Sequence, residues 1–189
     1  LLLQKTISKE KKQLVNLKQQ QVQLNTLLQN LQAMEVVEKA KQARNPSKQI
    51  KDGYPDYRYE DNSPFFSRKL SKPIENGTVT VKFGEIRGGV PNNGILFDAK
   101  NSSIHAISNG RVIFSGVLPG FGQMVVVDNG DNYTSIYGGI LPDVVKNQQL
   151  KANQVIGSSG TSANQPMGGV YFELRHLGKP VNPSKLQSF

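Results

Sequence analysis

The first 44 residues contain neither glycine nor proline and are rich in Leu, Lys, Gln and Glu, all good helix formers. Leu3, Ile7, Leu14, Leu17, Leu24, Leu28 and Leu31 fall at alternating three- and four-residue spacing, and the same frame passes through Glu10, Gln21 and Glu35. The pattern predicts a coiled-coil helix over residues 1–45 with an apolar seam down one side. A helix of that length extends about 65 Å and cannot bury such a seam on itself. The seam must meet another helix or the rest of its own chain. An upstream helix, paired with this one as an antiparallel hairpin, is the expected partner. Leu1-Leu2-Leu3-Gln4 reads as a helix interior, so a preceding segment, targeting signal included, is expected. Helix should end near Arg44-Asn45-Pro46, because the residue before proline is driven out of the α region.

The net charge is +9, and residues 1–50 carry nine Lys or Arg against three Glu, a surplus of six. A basic chain favours acidic partners. Nucleic acid is disfavoured, because the basic stretch has no interleaved aromatics and no recognisable nucleic-acid module. With no cysteine there is neither a disulfide framework nor thiolate chemistry. No apolar run is long enough to span a bilayer. Residues 46–69 are polar, with the tyrosine-rich run Tyr54-Pro55-Asp56-Tyr57-Arg58-Tyr59, and read as a linker or regulatory arm.

From residue 70 to 189 the texture changes to short β segments separated by turns. Thr78–Phe83, Arg111–Ser115, Gln123–Val127, Tyr133–Tyr137, Gln154–Gly157 and Val170–Arg175 are the predicted strands. The fold class is a mainly β domain of antiparallel sheets preceded by a long helix.

Several blocks resemble the LytM (lysostaphin-type) zinc metallopeptidase family. They are Leu70–Ile74 with Val81–Gly84, Ile104–Val112, Gly120–Val127, Ser135–Tyr137, Gln154–Gly160, and Tyr171–Arg175 with Gly178–Pro183. They occur in the family's order over residues 70–185. In active members two His and one Asp bind zinc, and a further His acts on the water. By the resemblance, those positions fall here on Asn92, Leu96, Gly139, Gly169 and Tyr171. A catalytic zinc needs lone-pair donors converging at about 2.0–2.2 Å with one position open for water. None of the five side chains is a strong ligand or base, and Asp98, two residues past Leu96, is a single carboxylate. His105 and His176 lie outside the ligand blocks and read as strand-edge residues. The expectation is a degenerate domain with no catalytic residues, no zinc and no other cofactor.

A long coiled coil joined to a degenerate LytM domain resembles the EnvC-type activators of bacterial cell division. That resemblance implies a non-catalytic protein that binds and switches on N-acetylmuramoyl-L-alanine amidases during septal peptidoglycan splitting. It implies a periplasmic location in a Gram-negative envelope, and a coiled coil that engages a membrane ABC-transporter-like division complex. Peptidoglycan is a further expected partner. The amidase-contacting positions fall on Asn93, Leu96, Phe121, Met124, Tyr137, Tyr171 and Arg175. Aromatic residues, Met and Arg suit a helix-binding slot. Tyr171 and Arg175 share one face of a strand and are expected at the surface. A helix with an unburied seam beside such a slot predicts autoinhibition, a segment before Lys69 folding back into the groove. The alternatives are a passive peptidoglycan-binding scaffold and an active zinc endopeptidase with displaced ligands.

Overall fold

The structure, a computed structural model, describes residues 2–44, 70–161 and 165–185. The expected linker of residues 46–69 lies outside them. Helix α1 spans Leu2–Arg44, ending where the proline signal places it. The described residues after it fold as short strands: β1 Thr78–Val81, β2 Ile86–Arg87, β3 Val90–Pro91, β4 Ile95–Asp98, β5 Ser103–His105, β6 Gly110–Leu118 and β7 Gly122–Gly130. The rest are β8 Tyr133–Gly138, β9 Ile140–Pro142, β10 Gln149–Leu150, β11 Val155–Ser159, β12 Val170–His176 and β13 Lys179–Val181, followed by a 3-10 turn at Pro183–Lys185.

The main sheet is antiparallel, ordered β1-β4-β12-β8-β7-β6-β10, with β13 also paired to β12. A three-stranded sheet, β5-β11-β9, packs apart from it, and β2-β3 forms a small hairpin. Asp131 and Asn132 both take positive φ at the β7–β8 connection, the conformation a tight hairpin turn demands and short polar side chains tolerate.

The main sheet is buried on both faces, which explains why β7 reads Met-Val-Val-Val rather than alternating apolar and polar. Val125 and Val127 point to one side, with Ile95, Phe97, Phe172 and Leu174. There they meet Ile104, Ile140 and Ile156 of the three-stranded sheet. Met124 and Val126 point to the other side, with Leu96, Ile136 and Tyr171. There they meet Leu24, Leu28 and Leu31 of α1.

The heptad pattern alone predicts a second helix as partner for the seam. Along Leu24–Leu31 the partner is instead the chain's own sheet: these leucines are 2%, 6% and 7% exposed, against 44% for Ile7. Apolar side chains find equal shelter on a sheet and on a helix, so the seam's period fixes which side of α1 is covered and not what covers it. A separate stripe, Val15, Val22 and Val36, faces outward.

Candidate functional site

The face under α1 is built in rows across the strands. Register aligns Leu96 with Tyr171, Tyr171 with Gly138, Gly138 with Met124 and Met124 with Gly116. The next row is Glu173, Ile136, Val126 and Phe114, and the third is Arg175, Thr134, Asp128 and Arg111. The first two rows are apolar apart from Glu173, and the third is polar. Phe121 sits edge-on to Tyr171, ring centroids 5.3 Å apart, at the apolar end.

Helix α1 lies along this face and is gripped on both flanks. On one flank Leu14 and Leu17 lie against Gly88 in the β2–β3 turn, and Gln21 Nε2 donates to the carbonyl of Pro91 at 3.0 Å. On the other, Gln20 packs against Gly120 in the β6–β7 turn. Farther along, Glu35 pairs with Arg111.

Tyr171, Glu173 and Arg175 alternate on β12, so all three project to the helix-covered side. Glu173 is fully buried. It accepts from Tyr171 OH at 2.6 Å and from Arg175 Nε at 2.5 Å, and Arg175 also donates to the carbonyl of Gly178 at 3.2 Å. Burial pushes the Glu173 carboxyl up from its ordinary value, while the Arg175 charge and the two hydrogen bonds pull it back. Burial and the neighbouring Glu173 charge hold the Tyr171 hydroxyl well above its ordinary range, so it stays protonated and donates. The network fixes the directions of Tyr171 and Arg175 on the groove floor.

Leu96, Phe121, Met124, Tyr171 and Arg175 are therefore brought together, and Asn93 stands half-buried at the rim, before β4. Two expectations are corrected. Tyr137 leaves the set: it is paired with Phe172, faces the opposite core, and its hydroxyl accepts the Ile107 N–H at 3.1 Å. Burial pushes its pKa up to about 12. Tyr171 and Arg175 are not surface-directed; they are 3% and 5% exposed beneath α1. Glu173 and Arg111 escaped the sequence reading. Glu173 carried a signal, an acid inside the otherwise apolar Val170–Leu174 run.

The five positions that the resemblance assigns to the zinc site also converge, around the start of β12. Asn92 Nδ2 donates to the carbonyls of Gly94 at 2.7 Å and Lys82 at 3.2 Å, shaping the turn before β4. Gly139 has φ 69°, and a Cβ there would lie 2.6 Å from the carbonyl oxygen of Gly169. A Cβ on Gly169 would run into the carbonyl oxygen of Phe97. His105 and His176 are elsewhere: His105 Nδ1 contacts the Asn153 carbonyl at 3.0 Å, and His176 stacks on Tyr133 with centroids 4.3 Å apart.

Comparison with known proteins bears on this fold and face directly. The family model described as Peptidase family M23 matches residues 90–183. Lipoprotein NlpD of Yersinia enterocolitica is 37% identical over 90 residues, 45% of this chain and 89% of that protein. The chain belongs to peptidase family M23. Murein hydrolase activator NlpD of Salmonella dublin is 38% identical over 129 residues, 62% of this chain and 33% of that protein. Murein hydrolase activator EnvC of Escherichia coli K12 is 34% identical over 110 residues, 57% of this chain and 26% of that protein. The chain thus spans a third or less of these two activators. The catalytic domain of lysostaphin from Staphylococcus simulans shares the fold, with TM-score 0.52 and 19% identity over 59% of this chain and 93% of that one.

The zinc of active family members does not fit the residues here. Gly139 and Gly169 offer no donor, and their backbones leave no room for a side chain. Leu96 is packed among leucines and aromatics, and the Tyr171 hydroxyl is committed to Glu173.

Proposed function

We propose that this M23 chain is a non-catalytic activator of cell-wall N-acetylmuramoyl-L-alanine amidases, held closed by its own helix. The observation that carries the reading is the pairing of lost ligand positions with an intact groove already filled by a helix. Leu96, Phe121, Met124, Tyr171 and Arg175 form a face suited to an amphipathic helix, and Asn93 stands at its rim. The activator names of the relatives point to peptidoglycan hydrolases as the enzymes served.

A tethered α1 competes at an effective concentration that can approach about millimolar, so a modest intramolecular contact excludes a partner until α1 is drawn away. The outward stripe of Val15, Val22 and Val36 is the surface we assign to the division complex in the membrane that does the pulling. Among the described residues no helix is long and apolar enough to cross a membrane. The reading places the protein in the periplasm, beside peptidoglycan.

The test is dye release from labelled peptidoglycan by an amidase alone, by this protein alone and by the two together. A chain carrying Leu24→Ser and Leu28→Ser, with α1 loosened, is run beside the native one. The expected outcome is no hydrolysis by the protein alone, slight stimulation of the amidase by the native chain and strong stimulation by the loosened one. Hydrolysis without amidase would revive the peptidase reading. Peptidoglycan binding without stimulation by either chain would favour a passive scaffold.

A further inference from the structure

Glu35 continues the helix seam one turn beyond Leu31, and its carboxylate is paired with the Arg111 guanidinium on β6. Both side chains are largely covered, 19% and 29% exposed. Arg111 stands at the polar end of the groove, in the row with Asp128, Thr134 and Arg175. Its row-mates are committed elsewhere. Asp128 Oδ1 accepts from the Gly130 N–H at 3.0 Å, and Arg175 is held by Glu173 and the Gly178 carbonyl. Arg111 is thus the cation of that row which meets the helix.

The spacing has a geometric basis. From Leu24 to Glu35 a helix rises about 16 Å, and from Tyr171 to Arg175 a strand advances about 13 Å. A helix lying along the strands therefore sets its apolar residues on the first two rows and its carboxylate on the third. Helix α1 is a worked template of what the groove accepts.

We propose that the groove selects a partner helix with apolar side chains at i, i+4 and i+7 and a carboxylate at i+11, and that Arg111 reads that carboxylate. This rests on the amidase-activator reading and names the chemistry of the amidase segment that displaces α1. An apolar stripe alone fits many helices. The charge at one end fixes direction and register, because a reversed or shifted helix leaves Arg111 facing an apolar residue. Such complementarity acts on specificity and association rate more than on raw affinity.

The test uses the 189-residue chain loosened by Leu24→Ser and Leu28→Ser, with a fluorescent synthetic peptide of residues 17–38 as probe. The native peptide is expected to bind, and its Glu35→Lys form to bind about tenfold more weakly at low salt. Adding Arg111→Glu to the chain should reverse that order, and this rescue also shows that the variant is folded. Equal binding of the two peptides overturns the proposal and leaves an apolar slot without charge selection. Amidase stimulation is the second arm, and Arg111→Glu should lower it by a similar factor. If the peptides swap as expected but stimulation is unchanged by Arg111→Glu, the claim about the partner is overturned while the activator reading stands. If the loosened chain stimulates no amidase, the activator reading itself fails. Concentration-dependent self-association of the loosened chain that Arg111→Glu abolishes would make a second copy the occupant, and would likewise overturn the proposal.

Discussion

The two faces of the main sheet bury similar side chains but differ in what covers them. On the inner face, Phe97, Val125, Val127, Phe172 and Leu174 meet a second sheet that is woven into the same domain. The strands of that second sheet alternate along the chain with those of the first, so the cover cannot leave without unravelling the fold. On the outer face, Leu96, Met124, Val126, Ile136 and Tyr171 meet one helix that precedes the whole domain in sequence. Removing α1 breaks no strand pairing. Equal burial therefore means different things on the two sides: a cover woven into the fold on one, a cover that can leave without unpairing a strand on the other. On the proposed reading, α1 stands in for a partner helix and keeps this face covered beforehand.

The largest expected effect lies on the inner face. Phe172→Ala should lower global stability by about 3–5 kcal/mol, read from the denaturant midpoint. Leu28→Ala, removing comparable buried surface on the outer face, should leave that midpoint much less changed and instead raise amide exchange in α1. If both substitutions shift the global midpoint equally, the two faces form one cooperative unit and the contrast drawn here fails.

Glu173→Ala should cost about 3 kcal/mol, because the buried Tyr171 hydroxyl and Arg175 guanidinium both lose their acceptor. Glu173→Gln keeps an acceptor at that position, and its signature is in pH instead. Burial raises the folded-state pKa of Glu173 above its ordinary 4.5, so the folded chain holds this proton more tightly than the unfolded chain. Its contribution is full below that ordinary value and declines as pH rises through the folded one. Native stability should carry this downward term with rising pH and the Gln variant should lack it, as thermal melts across the acidic-to-neutral range will show.

The smallest effect is a control that touches neither face. Leu177 holds φ 50° in the β12–β13 turn, a conformation that strains a leucine. Leu177→Asn should gain up to about 1 kcal/mol without changing α1 exchange or amidase stimulation.

Much of this contrast is legible in the sequence, and the unread parts have physical causes. The leucine frame located the buried side of α1, including Glu35 as a polar member of the seam. Its partner Arg111 is 76 residues away, and no local period reports a contact at that distance. The continuous apolar run of β7 announces a strand covered on both sides but not which cover is a helix. Tyr137 and Tyr171 illustrate the same limit. Both are strand tyrosines in family-like blocks, yet Tyr171 pairs with Gly138 and Tyr137 with Phe172, so they face opposite ways. Strand register decides that, and register depends on bulges such as the one between Val112 and Phe114, which spacing does not reveal. The positions assigned to zinc ligands come from the resemblance, block by block. That the backbone has also closed around Gly139 and Gly169 needed coordinates.

The central claim is that α1 and the amidase compete for one face. The most direct measurement is amide exchange of the native chain with and without saturating amidase. Residues 17–35 of α1 should lose protection when amidase is added, while β7, β8 and β12 keep or gain it. Unchanged protection of α1 in a chain that has bound the amidase would mean that the enzyme sits elsewhere, and would contradict the account.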